Sequence, residues 1–324
     1  MEGKVALEEH FAIEETLGDS ENFKVRGWSE LRHKLLDIHD DRISEMDRHG
    51  IGFAILSLNA PVVQAITDTS QAIDLAVKTN DFLAEEIDRR PDRFAGFAAL
   101  PMQDPDIAAR ELTRCVKELG FKGALVNGFS QRDTEDSMIF YDLPEYRPFW
   151  QTVEELDTTF YLHPRSPIPA QDRHYEGHPW FLAPAWGFAA ETSIHALRLL
   201  ASGLFDEFSG LKLILGHLGE HIPYDIWRID HRLKKATLEM PAKKTFTEYF
   251  RSNIYLTTSG NFNTRALKCA MDVMGAERIL FSVDYPFENT SDGTDWFDNL
   301  DIGEENLLKI GRTNAERLFN LGLI

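Results

Sequence analysis

The chain has 324 residues, 43% hydrophobic and 27% charged, which is enough apolar material for a sizeable core under a well-solvated surface. Its 53 Asp and Glu outnumber 34 Lys and Arg, and a formal net charge of -19 argues against nucleic acid or an anionic membrane as partner. No apolar run approaches the roughly 20 residues that span a bilayer, and the opening MEGKVALEEH has no long apolar core, so a cytoplasmic protein is expected.

In chain order, short apolar runs alternate with stretches of helical periodicity. Strands are expected at 5–7, 53–58, 94–99, 124–126, 160–162, 213–215, 254–256 and 279–281, each apolar enough to be buried on both faces. Helices are expected at 69–90, 105–119, 192–205, 222–235 and 264–274. Pro105 suits a first turn that Asp104 caps, and Gly120 suits its stop. Cys115 and Cys269 fall in two of these helices and read as buried structural thiols, with no disulfide framework.

Strands alternating with helices point to an α/β fold, a (β/α)8 TIM barrel over residues 1–324 as a single domain. A doubly wound sheet is disfavoured, because no G-x-G-x-x-G follows any strand. Two irregular stretches, 23–36 and 164–185, each follow a strand and are expected as insertions on the active face. The second carries five prolines and Trp180. Aromatics in these stretches serve equally well as subunit contacts.

Glu8 and His10 stand just past the first strand, His163 ends the fifth, His217 and Glu220 follow the sixth, and Asp284 follows the eighth. In a barrel such positions converge on one face. Side-chain alternation turns Glu8 and His10 the same way and Glu9 towards the wall or a neighbouring loop. A lone His at a strand end is more often a hydrogen-bonded core residue, and a lone Asp a helix cap. Four such residues on three strand ends are harder to dismiss. Two imidazoles and two carboxylates suit Zn2+ or Mn2+ better than Mg2+. The fourth strand ends in Asn127 and Gly128, with Lys122 at its other end, so no lysine is placed to bridge two ions and one metal is favoured.

Over nearly its whole length the sequence resembles the amidohydrolase superfamily, and within it the nonoxidative aromatic acid decarboxylases. The likeness rests on KVALEEHF, LSLNAP, DRFAGFAALPMQDP, FKGALVNGFSQ, FYLHPRSP, ILGHLGEHIPYDIWRIDHR, YLTTSGNF, ILFSVDYPFE and IGRTNAERLFNL. It implies a metal-dependent barrel with Glu8, His10, His163 and Asp284 as ligands of one divalent ion, Glu8 replacing the first histidine of the hydrolytic H-x-H pair. It places His217 and Glu220 beside the substrate carboxylate, Phe23 and Phe287 against the ring, and Arg228 near the carboxylate, with Arg232 one helical turn away as the other candidate. The other histidines read as surface or packing residues, with His178 and His221 able to approach the mouth of the site.

The implied reaction is reversible decarboxylation of a small phenolic acid by a homotetramer. Asp284 passes a proton from the phenol to the ring carbon that bears the carboxylate. Similar proteins acting on 2,3-dihydroxybenzoate or salicylate carry alanine where ALEEHF has His10, so 2,6-dihydroxybenzoate is the leading substrate. The 2,3-isomer, salicylate, or a lactone hydrolysed by the same fold are the alternatives.

Overall fold

Each apolar run becomes a parallel strand, because only a central strand can bury both of its faces. The computed structural model describes residues 1–21 and 27–323. Among them the barrel strands are β1 (Lys4–Phe11), β2 (Ile51–Leu58), β3 (Phe94–Gly96), β4 (Gly123–Asn127), β5 (Thr159–His163), β6 (Lys212–Leu215), β7 (Ile254–Thr257) and β8 (Ile279–Leu280). Strands β1 to β3 form one ladder and β4 to β8 another. Two seams interrupt this (β/α)8 order, and each is spanned by an isolated parallel bridge, Ala98 with Ala124 and Glu9 with Tyr285.

Alternation along the strands divides the apolar residues in two. Val5, Leu7, Phe53, Ile55, Phe97, Leu125, Tyr161, Ile214 and Leu280 fill the interior, closed below by Ala315 and Phe319. Ala6, Ala54, Leu56, Val126, Leu162 and Leu215 face outwards and pack under the helices.

The helix Thr69–Arg89 starts at Asp68, which accepts from the Gln71 N–H, and Pro105–Lys117 starts at Asp104, which accepts from the N–H groups of Asp106 and Ile107. The helix expected at 192–205 instead runs Gly187–Ala201, because Gly203 takes a left-handed conformation and starts a separate turn, Leu204–Glu207. The periodicity reading did not anticipate the helices Asp41–Arg48, Arg147–Glu155, Phe246–Ser252 and Thr290–Asp298, nor the hairpin of Ser130–Arg132 with Thr134–Ile139. Cys115 is buried as expected, whereas Cys269 is only half-buried. No helix among the described residues is long and apolar enough to cross a membrane.

Two local features decide what the strand ends present. On β1, Ala6 pairs with Ala54 but Glu9 pairs with Leu56, so one extra residue is accommodated between them. This bulge resets the alternation: Leu7 and Glu8 both face inwards, Glu9 faces out and His10 faces in. Glu9 then holds the seam between β8 and β1. Its carboxylate accepts from Ser282 Oγ (2.9 Å) and from the backbone N–H groups of Val283 (2.9 Å) and Tyr285 (3.3 Å). Backbone bonds from His10 to Tyr285 (2.6 Å) and from Asp284 to Glu8 (3.1 Å) complete the join.

Glu9→Ala removes the shared acceptor from two buried N–H groups and a hydroxyl. At about 1–3 kcal/mol for each buried group left unsatisfied, unfolding in denaturant should show a loss of several kcal/mol. A loss below about 1 kcal/mol would mean that the backbone bonds alone hold the seam.

Candidate metal centre

Glu8 and His10 enter the site from the bulged end of β1, His163 from the last position of β5, and Asp284 from the turn after β8. One ligand atom from each of the four lies within 4.8 Å of the others. Glu8 and His10 are fully buried, His163 nearly so, and the Asp284 side chain is 14% exposed.

The hydrogen bonds around His163 fix its tautomer. Nδ1 lies 2.8 Å from Asn127 Oδ1 and 2.9 Å from the carbonyl oxygen of Pro164. A carbonyl only accepts, so Nδ1 carries the proton and Nε2 presents a lone pair. That lone pair faces Glu8 Oε1 at 3.2 Å. Burial lowers the His163 pKa, which keeps the ring neutral. The two acceptors therefore confront each other with no proton between them. Glu8 Oε1 and His10 Nε2 are both buried without a hydrogen-bond partner among the described residues, and His10 Nε2 lies 3.3 Å from Asp284 Oδ1. Unpaired polar atoms converging in a buried space call for a cation. Two imidazoles and two carboxylates fit a borderline divalent ion, Zn2+ or Mn2+.

Burial acts to raise the Glu8 pKa, but the charge of His217, with the neighbouring His163 and His10 rings, outweighs it and holds the group well below the usual carboxylate range. His217 stands beside the cluster, with Nε2 3.5 Å from Glu8 Oε1 and 3.7 Å from Asp284 Oδ2. Its Nδ1 bonds Glu220 Oε1 at 2.5 Å. Burial opposes its charge, yet Glu220 and Glu8 prevail and raise its pKa well above the ordinary value. The loop bearing it is strained: His217, Leu218, Glu220 and His221 all have positive φ, as does Asp284. Left-handed backbone at non-glycine residues costs of order 1–3 kcal/mol each and tends to be kept where function needs it.

Above the cluster opens a cavity of about 530 Å³, bounded by described residues that include His163, His217, Glu220, Asn261, Asp284 and Phe287. Both stretches expected as irregular insertions supply wall, although the first forms the helix Trp28–Leu36: Gly27, Glu30, Leu31 and Lys34 come from the one and Pro184 and Ala185 from the other. Phe287 sets its ring edge-on to His10, centroids 5.6 Å apart. Phe23 lies outside the described residues. His221 reaches the wall, while His178 packs against exposed Trp180. Arg228 and Arg232 are exposed and line no part of this cavity. Their helix, Ile222–Leu233, buries Ile222, Pro223 and Ile226 instead, which turns both arginines outwards.

Several site residues escaped the sequence reading. Asn127 orients His163, Ser57 Oγ meets His10 Nδ1 at 3.2 Å, and Tyr161, Thr257 and Ser259 surround Glu8 Oε2. The available signal was parity: Tyr161 lies two positions before His163, and Thr257 two before Ser259, so each pair shares a strand face.

These features define a metal-centred (β/α)8 protein, and the chain belongs to the amidohydrolase family, whose model matches residues 32–321. It is 60% identical to the gamma-resorcylate decarboxylase of Rhizobium sp. (strain MTP-10005), over 99% of both chains. A crystal structure of a 2,6-dihydroxybenzoate decarboxylase complexed with 2,6-dihydroxybenzoate superposes with a TM-score of 0.96 at 60% identity, covering 99% of this chain and 100% of that one. The dihydroxybenzoic acid decarboxylase of Polaromonas sp. JS666, with bound manganese and the inhibitor 2-nitroresorcinol, gives 0.97 at 57% identity, covering 100% and 98%.

Behind Glu220 lies a second buried acid, Glu191. Neither of its oxygens has a hydrogen-bond partner among the described residues, and Oε1 is 3.8 Å from His195 Nδ1. Burial, with Glu220 adding and Arg165 opposing, pushes its pKa from 4.5 to about 8. The folded protein thus keeps a proton that the unfolded chain releases. The stability this gives is complete below about pH 4.5 and is lost as pH rises through about 8. Urea titrations of Glu191→Gln, which cannot ionise, should show stability falling less than in the wild type over that window. Parallel pH profiles would show that Glu191 ionises normally.

Proposed function

We propose that the protein is a metal-dependent carboxy-lyase that converts 2,6-dihydroxybenzoate to resorcinol and CO2, reversibly. The observation that carries this reading is the four-ligand cluster at the floor of an aromatic-walled cavity, in a chain 60% identical to gamma-resorcylate decarboxylase over 99% of its length. Glu8, His10, His163 and Asp284 would hold one Mn2+ or Zn2+ ion, which when bound supplies Lewis-acid stabilisation of a phenolate and fixes the ring.

The remaining work falls to the chain's own groups. Asp284 takes the phenolic proton and delivers it to the ring carbon bearing the carboxylate. The carbon–carbon bond to the carboxylate then breaks, its electron pair returns to the ring, and CO2 leaves. His217, held charged by Glu220 at 2.5 Å, pairs with the substrate carboxylate and orients it. Phe287 packs on the ring, and Phe23 is assigned a ring-packing role with it on the family likeness. Arg228 would act on the carboxylate only if another copy of the chain brought it there. Exposed Trp180, Trp186, Tyr224 and Trp227 offer contact surface for a homotetramer. The cytoplasm is the proposed location.

Incubating the Mn2+-loaded protein with 2,6-dihydroxybenzoate, 2,3-dihydroxybenzoate, salicylate and a lactone, while following CO2 and resorcinol, tests the reading. The 2,6-isomer should be turned over fastest, and lactone hydrolysis without CO2 release would sink it. Stripping the ion with a chelator should abolish turnover, and adding Mn2+ back should restore it. Asp284→Asn should lower kcat by ~10³-fold or more, within the range of a positioned acid–base group, with the fold retained by circular dichroism. Near-wild-type turnover in that variant would remove Asp284 from the proton transfer. Glu220→Gln should lower kcat/KM by about 10–100-fold, in line with loss of a group that orients a site histidine.

A further inference from the structure

The two oxygens of Glu8 have opposite surroundings. Oε1 has no hydrogen-bond partner among the described residues and faces His163 Nε2 and His217 Nε2 at 3.2 and 3.5 Å. Oε2 is ringed by three hydroxyls, those of Tyr161, Thr257 (3.2 Å) and Ser259. These hydroxyls also contact one another, Tyr161 to Thr257 at 2.7 Å and Thr257 to Ser259 at 2.8 Å. All three residues are fully buried or nearly so, so no bulk water competes for them. Gly216 closes the fourth side, where a side-chain Cβ would come within 2.8 Å of Oε2.

A carboxylate can bind a cation through one oxygen or through both. Each hydroxyl carries one proton to donate, whereas Oε2 has only lone pairs to offer. The ring of hydroxyls therefore keeps Oε2 occupied as an acceptor. We propose that Tyr161, Thr257 and Ser259 form a hydroxyl clamp that confines Glu8 to a single metal-facing oxygen, Oε1, with Tyr161 as the principal positioning residue. The clamp draws on two strands: Tyr161 from the middle of β5, and Thr257 at the end of β7 with Ser259 just beyond it. The clamp fixes the direction of the Oε1 lone pairs and keeps Oε2 from taking a coordination position that substrate oxygens need. None of the three residues lines the cavity, so each acts through Glu8. The inference rests on the metal-centred reading above.

Metal binding is measured directly, without substrate. Apo forms of the full chain, wild type, Tyr161→Phe and Ser259→Ala, are titrated with Mn2+ in competition with a chelator, and each is loaded with Co2+ for visible spectroscopy. Loss of one orienting group around a ligand typically weakens metal affinity by 10–100-fold. The clamp predicts that loss in Tyr161→Phe, a smaller loss in Ser259→Ala, and a changed Co2+ spectrum in both. Dissociation constants within twofold of wild type, or an unchanged Co2+ spectrum, would overturn it. A fall in apo Tm with unaltered metal affinity would also overturn it, since that is what packing alone gives. If Tyr161→Phe does not fold, Ser259→Ala and Thr257→Val decide by the same criteria. Protein that shows these metal-binding changes but never decarboxylates a hydroxybenzoate would leave the clamp standing and remove the reaction instead.

Discussion

A lone pair facing a lone pair across a buried gap is the constraint from which the rest of this site follows. His163 cannot donate to Glu8, because its proton is already committed to Asn127 and Pro164 on the other side of the ring. Glu8 cannot acquire a proton cheaply either, with three imidazoles favouring its charge. Desolvated acceptors left in this state would cost several kcal/mol. A divalent ion held by all of them would resolve the conflict, and much of the surrounding structure reads as preparation for it.

That preparation begins in the backbone. Regular alternation from Leu7 would turn Glu8 out of the barrel, and the bulge on β1 reverses it. The next residue, Glu9, then ties β1 to the segment that carries Asp284, so two members of the cluster from opposite ends of the chain share one rigid join. Desolvation raises the Glu9 pKa to about 7, against the pull of its donors and of Arg42. The same burial therefore acts on two adjacent glutamates with different outcomes, because only Glu8 is surrounded by imidazoles. Beyond the strands, the left-handed turn at His217–His221 folds Glu220 back beneath the imidazole it orients.

How much was legible in the sequence depended on how local each signal was. All eight barrel strands could be read, since burial on both faces leaves an unbroken apolar run. Glu8, His10, His163, His217 and Asp284 were legible because a barrel sends its strand ends to one face. Helix ends were read less well: Gly203 divides a periodic stretch that hydrophobic spacing alone treats as continuous. The residues around the ligands were mostly invisible. Tyr161 and Ser259 meet Glu8 from 153 and 251 residues away, and nothing in a single sequence announces such a pairing. Arg228 was placed by family likeness alone, and within one copy of the chain its helix turns it to solvent, away from the cavity.

The cavity and the four-residue cluster are one object: the cluster lies at its floor, and the walls carry the rings of Phe188 and Phe287 together with Glu30, Lys34 and Glu288. On the proposed reading a flat, anionic phenol would set its ring against Phe287 with its oxygens towards the floor. The claim on which all of this depends is the identity of the four ligands. Anomalous diffraction from crystals grown with Mn2+ tests it directly. The account predicts one strong peak within bonding distance of Glu8 Oε1, His10 Nε2, His163 Nε2 and an Asp284 carboxylate oxygen. A peak bound elsewhere, or none at this cluster in fully loaded protein, would contradict it.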